Sequence, residues 1–560
     1  MHSRPPGPAR SRSTIALFAI LGIAVVGSTI AIAQRSGEYR FFDPLIDVKN
    51  IIAEKAFKEP ETKDLQQGAI QGMLEVLDDP YAVYVPPQFN DEFEKELTGE
   101  YVGIGAEVNM VDGVFTIVTP MDDSPAFRAG VMAGDKVRAI DGVSTDGLTV
   151  DECINKLLGQ ADTEVVITVE RAGGEKLDIP ITRAQIKSRA VRGYRRHHDA
   201  EETWDYLLDP QRRIGYIRIS QFTPSVADEV ESALDELGAS KGELKGLVID
   251  VRWDPGGLLD QAVRIADMFL DHGVIVSTKG RAYPERVAKA NASGTLPDFP
   301  VVMLINGQSA SASEVLTGAL VENDRAIAVG ERSYGKGSVQ SIHPLGGAAT
   351  GASLKLTEQR YYLPSGRCLQ RTDDSAEWGV DPTAGFFVPL DNDQLAELLR
   401  IRRESEIIGG ENDAKQVDPD DAATTEAQAD PDWIAENHKD PQLAEAVRAL
   451  RARLDTGDWP KGEDSEHTVT AVESHELSQI DLARERLMRE LSRMDRREAA
   501  LRSGQADDSE AASHDLWDDS AKIEGGSLVV RDADGNVIAT LRITGPDLER
   551  WLLDADVRKE

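Results

Sequence analysis

Apolar and polar positions follow different periods in different regions of the chain. In the central third, short continuous apolar runs are each followed by a turn and then by apolar residues at helical spacing. The runs lie at residues 214–219, 246–252, 301–305 and 326–329, and the helical patterns at 225–237, 259–269 and 315–320. Continuous runs are typical of strands buried on both faces, and strands that alternate with helices predict an α/β core, assigned to residues 190–390.

The regions before this core have their own patterns. Residues 44–79 carry apolar residues at helical spacing and predict an N-terminal helical segment, assigned to residues 40–97. Residues 99–184 alternate short apolar runs with glycine-rich turns and contain one helical pattern at 149–158. This pattern predicts a separate small domain at residues 98–185.

The region after the core is predicted to form a C-terminal extension. Acidic and small residues dominate residues 404–440, which predicts a disordered linker. A charged helical pattern follows and is assigned to a helical extension at 441–503. Apolar stretches around the turn Asp534-Gly535 predict a hairpin with a short helix at 524–556. No chemistry is assigned to these parts.

The N-terminus has the pattern of an export signal. Arg4, Arg10 and Arg12 precede an uncharged apolar segment, residues 14–34, so residues 1–13 are expected to remain cytoplasmic. The segment is long enough to span a bilayer, but its Ala-Ile-Ala end also fits a signal-cleavage site. The rest of the chain is therefore predicted to be exported across the cytoplasmic membrane. It would be anchored there, facing the periplasm or cell exterior, or secreted if the signal is cleaved.

Composition excludes several classes of function. The 560 residues include 98 acidic and 62 basic side chains, giving a net charge of −36, which argues against a nucleic-acid partner. The two cysteines, Cys153 and Cys368, form neither a disulfide framework nor a zinc-ligand pattern, and no HExxH motif is present. No metal or cofactor is predicted.

The strongest chemical signal lies between residues 305 and 340. Ser309, Ser311 and Ser313 stand where an apolar run gives way to a helical pattern, and the N–H groups of a helix start favour a developing anion. Further on, Lys336 stands between two glycines, where desolvation can lower its pKa and make the amine a general base. By themselves these residues also fit helix caps and a solvated turn.

A nucleotide-binding interpretation of the same stretch is rejected. Residues 330–336 spell GxxxxGK, the beginning of a phosphate-binding loop. The next residue is Gly337, where such a loop needs Ser or Thr to bind magnesium, and the residues after it look extended, not helical.

The order SASASE followed by YGKGSVQ resembles the core of the carboxyl-terminal processing (tail-specific) serine peptidases. The resemblance implies that Ser311 is the nucleophile, that Lys336 is its base, and that Gln340 orients the lysine. The separation of 25 residues between serine and lysine agrees with the family pattern. The resemblance extends over roughly residues 40–390.

A second motif of the same family precedes the serine. Residues 250–257, DVRWDPGG, resemble the family motif DLRxNPGG, which implies that Gly256 or Gly257 contributes an N–H to an oxyanion hole together with Ala312. Which glycine acts is left open, since one of the two would serve only as a flexible turn residue. Trp253-Asp254 departs from the family pattern, in which an asparagine is usual nearby.

The domain at residues 98–185 resembles a PDZ domain. Its SPAxxAG and GDxVxxIDG features occur in the PDZ order. The resemblance implies that an extended C-terminal tail binds beside a sheet edge, with its carboxylate held by backbone N–H groups of a glycine-rich loop. The residues of that loop are Tyr101, Val102, Gly103, Ile104 and Gly105.

The predicted fold is therefore an α/β peptidase core with an inserted PDZ domain, an N-terminal helical segment and a C-terminal extension. The predicted function is a Ser-Lys serine endopeptidase that binds protein C-terminal tails and cleaves near them, with the N-terminal segment as its contact to the membrane. The alternative is a catalytically inactive, membrane-tethered peptide-binding scaffold. A Ser-His-Asp peptidase is disfavoured because no histidine lies in a motif that would make it the base. In some members of the family the N-terminal segment mediates dimerisation, so a homo-oligomer remains open.

Overall fold

The computed structural model describes residues 40–407, 427–460 and 470–494 and the strand residues 527–531 and 537–542. Short gaps within these ranges are not described: residues 59, 91–92, 94–99, 112, 122–123, 172–173, 175, 188, 197–203, 373–374, 376, 479, 482–483, 485–486, 489–490 and 492–493. The predicted signal segment, most of the predicted linker and the predicted final helix lie outside the described residues. Within the described part of the chain, no helix has both the length and the apolar character needed to cross a membrane.

The described part of the N-terminal segment contains two longer helices, a strand and a short helical stretch at residues 87–90. Helix α1 covers residues 40–55, helix α2 covers Thr62–Glu75, and strand β1 covers Val83–Val85. Most side chains of α1 are exposed, whereas Leu74 of α2 is buried. Strand β1 pairs antiparallel with residues 353–355, which attaches the segment to the core.

Residues 100–187 form a small β-rich domain. Its elements are β2 Glu100–Gly103, β3 Ala106–Val111, β4 Val114–Pro120, α3 Pro125–Arg128, β5 Lys136–Ile140, β6 Val143–Ser144, α4 Val150–Leu157, β7 Glu164–Glu170, β8 Lys176–Thr182 and β9 Ala184–Lys187. The main sheet has the antiparallel order β3-β4-β5-β7-β8, and β2 pairs with β9. Strand β7 shows why the sheet forms, because Val165, Ile167 and Val169 alternate into the buried core.

Residues 191–456 form the core region, which contains a mainly parallel central sheet between two layers of helices. Its elements are β10 Val191–Arg192, β11 Arg195–Arg196, β12 Trp204–Asp205, β13 Leu207–Asp209, β14 Ile214–Ile219, α5 Val226–Glu236, β15 Gly246–Asp250, α6 Leu259–Phe269, β16 Val274–Gly280, β17 Arg286–Lys289, β18 Val301–Ile305, α7 Ala312–Glu322, β19 Ala326–Gly330, β20 Ser338–Pro344, β21 Ser353–Tyr362, α8 Asn392–Glu406, α9 Pro431–Trp433 and α10 Pro441–Thr456. Strands β14, β15, β18 and β19 are adjacent and parallel, which confirms the predicted α/β core.

Alternate residues of the core strands face opposite helical layers. On strand β18, Val301 and Met303 pack in the cluster that contains helices α5, α6 and α7. Val302 and Leu304 pack in a second cluster with Val447 and other residues of α10. Because both faces are covered, every residue of this strand is apolar and buried.

The position of helix α10 differs from the domain organisation that the sequence predicted. Residues 441–456 were assigned to an extension beyond the core, yet they supply the second helical layer of the core sheet. The acidic linker was also placed too broadly, since residues 404–406 end helix α8 and residues 427–438 contain helical turns. Because its composition is acidic, the sequence predicted a disordered linker that included residues which return to the core.

A second, antiparallel sheet lies in the same unit. Its strands have the order β1-β21-β16-β17, and β20 also pairs with β21. Strands β20 and β21 follow the GKG loop, so this sheet positions the residues beyond the lysine.

The chain divides into two compact units, residues 1–462 and 463–560. In the second unit, the described residues between 470 and 494 are helical, helix α11. Strands β22 Ser527–Arg531 and β23 Val537–Arg542 pair antiparallel.

Candidate active site

Ser311 lies at the junction between strand β18 and helix α7. The strand ends at Ile305 and the helix begins at Ala312, so Ser311 immediately precedes the helix. Its backbone has φ 57° and ψ −113°, a conformation that is costly for a residue with a side chain and is found mainly at functional sites. The serine is 6% exposed, and its side chain lies within hydrogen-bonding reach of the Tyr361 hydroxyl.

The two neighbouring serines have structural roles. Ser309 Oγ donates to the carbonyl oxygen of Val251 at 2.8 Å, and Ser313 Oγ donates to the carbonyl oxygen of Asp254 at 3.1 Å. Both bonds tie the junction to the residues that follow strand β15. Since these hydroxyls are engaged with backbone, the geometry favours Ser311 as the reactive serine of the three.

A buried carboxylate joins the serine to the lysine loop, residues 330–340. Glu314, in the first turn of α7, is fully buried, and its Oε2 accepts the backbone N–H groups of Ser311 at 2.7 Å and Lys336 at 2.9 Å. Its Oε1 accepts the Gly335 N–H at 2.6 Å and the Ser333 hydroxyl at 2.5 Å. Burial raises the pKa of Glu314, and the four donors oppose that rise. Because one oxygen atom binds both backbone nitrogens, Glu314 holds Ser311 and Lys336 beside each other.

Lys336 occupies a half-buried position. Desolvation lowers the pKa of its ammonium group and the charge of Lys355 lowers it further, whereas Glu314 has the opposite effect. Its Nζ lies 5.0 Å from the centre of the Tyr81 ring, which belongs to the N-terminal segment. Among the hydrogen bonds of the described residues, none joins Nζ directly to the Ser311 hydroxyl. A lowered pKa increases the share of neutral amine, the form that can accept a proton.

Gln340 lies on strand β20, beyond the lysine. Its Nε2 donates to the Ser338 hydroxyl at 2.8 Å and to the Thr357 hydroxyl at 3.3 Å. No hydrogen bond within the described part of the chain joins its amide to Lys336 Nζ. The predicted role of Gln340 in orienting the lysine therefore stays a prediction.

The glycine loop, residues 253–257, lies against Ser311. Gly256 and Gly257 have φ of 95° and 148°, which favour glycine. A Cβ on Gly256 would lie 2.7 Å from the Ser311 Cβ and 2.9 Å from the Ala312 nitrogen, so no larger residue fits there. The Gly256 N–H already donates to Asp254 Oδ1 at 2.8 Å. The N–H groups of Gly257 and Ala312 have no acceptor among the described residues, which favours these two as the oxyanion donors.

Strand β15 leads into the glycine loop through a buried ion network. Arg252, whose side chain is fully buried, donates to Asp250 and, through both of its terminal nitrogens, to Asp440 at 2.9 and 2.7 Å. It also donates to Gln442 at 3.0 Å, and Arg402 of α8 pairs with Asp250 at 2.6 Å. Asp440 immediately precedes α10, so the segment that returns after the linker supports the glycine loop.

Three residues of the site were not predicted from sequence: Glu314, Tyr361 and Asp440. For Glu314 a signal existed, because it stands three residues after Ser311, the spacing of a helix-capping box. Asp440 precedes Pro441 in the pattern of a helix start, which gives no indication of a distant arginine partner. Tyr361 lies in the stretch YYLPSG, which resembles the family pattern but gives no indication of a contact with Ser311.

The predicted peptide-binding loop packs tightly within the β-rich domain. Strand β2 carries Tyr101, Val102 and Gly103, and Ile104 and Gly105 connect it to β3. A Cβ on Gly105, which has φ 72°, would lie 2.4 Å from the Ser124 Cβ. This contact explains why glycine is required at the end of the loop.

The described residues contain no group of three or more histidine, cysteine, aspartate or glutamate side chains arranged to hold a metal ion. Around Ser311 lie its hydroxyl, nearby backbone N–H groups and the backbone of Lys336, which Glu314 holds beside it, and a hydroxyl, an amine and N–H donors are the groups that acyl transfer uses.

Three protein-family profiles match the chain. Peptidase family S41 matches residues 213–385, a PDZ domain matches residues 116–171, and the activating protease CtpB N-terminal domain matches residues 33–88. These matches confirm the predicted fold class, in which a peptidase core is accompanied by a PDZ domain and an N-terminal segment.

Individual proteins are also similar. A carboxy-terminal-processing protease of Bartonella bacilliformis is 34% identical over 459 residues, which cover 79% of this chain and 97% of that protein. A probable CtpA-like serine protease of Staphylococcus saprophyticus is 33% identical over 352 residues, 62% of this chain and 67% of that protein. Among solved structures, a photosystem II D1 C-terminal processing protease is 28% identical, with a TM-score of 0.34, over 60% of this chain and 84% of that one.

Proposed function

The chain belongs to the carboxy-terminal-processing proteases of peptidase family S41, and from that membership we propose that it is a Ser-Lys endopeptidase that captures C-terminal tails. Membership makes it a serine peptidase that acts on protein substrates. The identity of the catalytic residues and the capture of tails are the parts that we propose.

In the proposed reaction, neutral Lys336 accepts the Ser311 hydroxyl proton while Oγ attacks the scissile carbonyl carbon. The N–H groups of Ala312 and Gly257 bind the tetrahedral oxyanion. Its collapse breaks the C–N bond, and Lys336 returns the proton to the leaving amine, which leaves an acyl-enzyme. A water molecule then attacks the ester, gives a proton to Lys336 and releases the carboxylic acid, and Ser311 recovers its proton. Gln340 would orient the amine.

The observation that carries this proposal is the shared Glu314 carboxylate. It places the backbone of Ser311 and Lys336 next to each other, although the two residues are separated by 25 positions in the sequence. The lowered pKa of Lys336, caused chiefly by desolvation, supports its role as a base. The lysine needs to leave the Tyr81 ring and approach the hydroxyl, a movement that its flexible stem allows.

The proposal extends to substrate capture and location. The PDZ domain would bind a tail along the loop from Tyr101 to Gly105 and place an upstream bond at Ser311. The segment 14–34 would direct export across the cytoplasmic membrane and either anchor the enzyme, facing the periplasm or cell exterior, or be cleaved to release it.

Self-association is supported by helix α1, where Phe41, Leu45 and Val48 are 59%, 42% and 53% exposed.

The test compares wild type, Ser311→Ala and Lys336→Ala on an extract of bacterial envelope proteins, with new C-termini sequenced by mass spectrometry. We expect both variants to generate new C-termini at least about 10³-fold more slowly than wild type, because each removes one half of a unit that acts together. Ser293→Ala, an exposed serine, serves as control and should behave as wild type. Unchanged cleavage by Ser311→Ala would refute the assignment.

The alternative is a catalytically inactive, membrane-tethered scaffold that binds peptides through its PDZ domain. The observation in its favour is the lack of a direct bond between Lys336 Nζ and Ser311 Oγ among the described contacts. Wild-type protein that binds tail peptides but generates no new C-terminus would establish the scaffold instead.

A further inference from the structure

Asp254, in the glycine loop, has a buried carboxyl group that the reaction above does not use. Its Oδ1 accepts the Gly256 N–H at 2.8 Å, and its backbone carbonyl accepts the Ala310 N–H at 3.0 Å and the Ser313 hydroxyl at 3.1 Å. The residue is 0% exposed, and Oδ2 has no hydrogen-bond partner among the described residues. Asp254 thus contacts residues on both sides of Ser311, yet one carboxyl oxygen is buried without a partner.

No cation balances this carboxyl group among the described residues. The ionisable side chains on the elements around it are Asp250, Arg252, Glu314, Lys336 and Tyr361, together with Arg402, which lies over the Trp253 ring at 4.9 Å and is paired with Asp250 at 2.6 Å. Arg252 bonds Asp250 and Asp440, Glu314 accepts its four donors, Lys336 lies against Tyr81, and Tyr361 lies by Ser311. A buried carboxylate with no cation and one unbonded oxygen is much less stable than the neutral acid. In agreement, burial raises the pKa of Asp254 well above its ordinary value, although the Gly256 N–H and the Ser313 hydroxyl oppose the rise.

We propose that Asp254 is a positioning residue that works as a neutral carboxylic acid beneath the oxyanion site, and that its ionisation turns the peptidase off as pH rises. The proposal rests on the function assigned above to Ser311, Lys336 and the glycine loop. In the neutral form, Oδ1 holds the Gly256 amide and so fixes the turn that presents the Gly257 N–H. In the ionised form, a negative charge lies within the loop that has to stabilise a developing negative charge.

The two titrations act in opposite directions. Lys336 has to be neutral, so activity rises with pH through the pKa of the lysine. Asp254 has to be protonated, so activity is present below the pKa of the aspartic acid and is lost above it. The kcat profile of wild type is therefore bell-shaped, with Lys336 as the acid limb and Asp254 as the alkaline limb. Tyr361 does not produce the alkaline limb, because burial raises its pKa to about 12.

The experiment measures kcat and KM against pH for wild type, Asp254→Asn and Asp260→Asn with one tail-bearing substrate identified in the envelope extract. Asparagine keeps an oxygen acceptor for Gly256 but does not ionise. Wild type should lose kcat by about tenfold per pH unit along the alkaline limb, while Asp254→Asn, scaled to its own maximum, should lose that limb and keep the acid limb. Asp260, an exposed residue in the first turn of α6, is the matched control, and its variant should keep both limbs.

An alkaline limb that persists unchanged in Asp254→Asn would overturn the proposal. So would an effect on KM alone, since a positioning role in the oxyanion site acts on kcat. Asp254→Ser, a smaller neutral acceptor, gives the same test if the asparagine variant does not fold. If wild type shows no turnover at any pH, the proposed function fails. If wild type turns over and Asp254→Asn keeps the acid limb, the proposed function stands, and the alkaline limb alone decides the role of Asp254.

Stability supplies a second measurement that does not depend on turnover. An aspartic acid whose pKa is raised by folding contributes stability that is fully present below the pKa of the unfolded chain, about 3.9, and is lost as pH rises through the folded pKa. The melting temperature of wild type should therefore fall relative to Asp254→Asn as pH rises through this window. Parallel curves for the two proteins would contradict a neutral Asp254.

Discussion

Ser311 is flanked by two loops that are held in place in different ways. The lysine loop is attached by one carboxylate, Glu314, which lies three residues after Ser311 and accepts four donors within residues 311–336. The glycine loop is supported by Arg252, whose partner Asp440 is 188 residues further along the chain. One side of the site is thus fixed by a short local motif and the other by a segment that returns after the linker.

The two attachments also differ in their electrostatics. Glu314 accepts neutral donors, namely three backbone N–H groups and one hydroxyl. Asp250 instead meets two guanidinium groups, and although burial alone would raise its pKa, Arg252 and Arg402 lower it below its usual range. Buried charges of this kind need every partner, because removing one leaves another charge uncompensated. We therefore expect the glycine loop to be the more sensitive of the two to single substitutions.

The largest effect is expected for Asp440→Ala. The change removes two bonds from an arginine whose side chain remains fully buried, and we expect the free energy of unfolding to fall by about 3–5 kcal/mol. The glycine loop loses support at the same time, so kcat should fall as well. Urea unfolding followed by tryptophan fluorescence measures the first effect.

The control for this prediction is Asp455→Ala on the same helix, α10. Asp455 pairs with Arg212 at 2.7 Å, but the two side chains are 58% and 37% exposed, so the loss should stay below about 1 kcal/mol. Equal stability of the two variants would show that the buried network does not support the glycine loop.

A smaller effect is expected for Glu314→Gln. The glutamine side chain keeps one acceptor oxygen, but its NH₂ group replaces the oxygen that accepts the Ser311 and Lys336 N–H groups, so two buried donors lose their partner. We expect about 2 kcal/mol less stability, since bonds to charged groups are among the stronger ones, and a lower kcat with little change in KM.

Glu322→Gln provides the matched control at the other end of helix α7. Glu322 is partly exposed, accepts one backbone N–H from Ser365 at 2.8 Å and pairs with Arg367 at 3.6 Å, so its loss should change stability by about 1 kcal/mol or less. A Glu314→Gln variant with normal kcat would show that the shared carboxylate is not needed to align the serine with the lysine.

The same contrast explains which parts of the fold and of the site could be predicted from the sequence. The α/β core and the serine, lysine and glycine motifs were predictable because each is a contiguous pattern with a local physical cause. Glu314 could have been recognised by its capping-box spacing after Ser311. Asp440 could not, because an ion pair between residues 188 positions apart depends on the path of the chain, and the acidic composition before it suggested disorder. The tyrosines that face the site, Tyr81 and Tyr361, are likewise brought there only by the antiparallel sheet and its N-terminal neighbour.

The smallest effect concerns the electrostatics of the lysine itself. Lys355, on strand β21, contributes after desolvation to the lowered pKa of Lys336. In Lys355→Met the pKa of Lys336 should rise, because a nearby positive charge no longer disfavours the ammonium form. The acid limb of the kcat profile should therefore move to higher pH, with kcat on that limb about threefold lower at a fixed pH and the plateau unchanged. Lys289→Met, an exposed lysine on strand β17, should leave the limb in place. Since Glu314 holds the backbone of Lys336 independently of Lys355, a lower plateau instead of a shifted limb would mean that Lys355 acts on the geometry of the lysine loop and not on its charge.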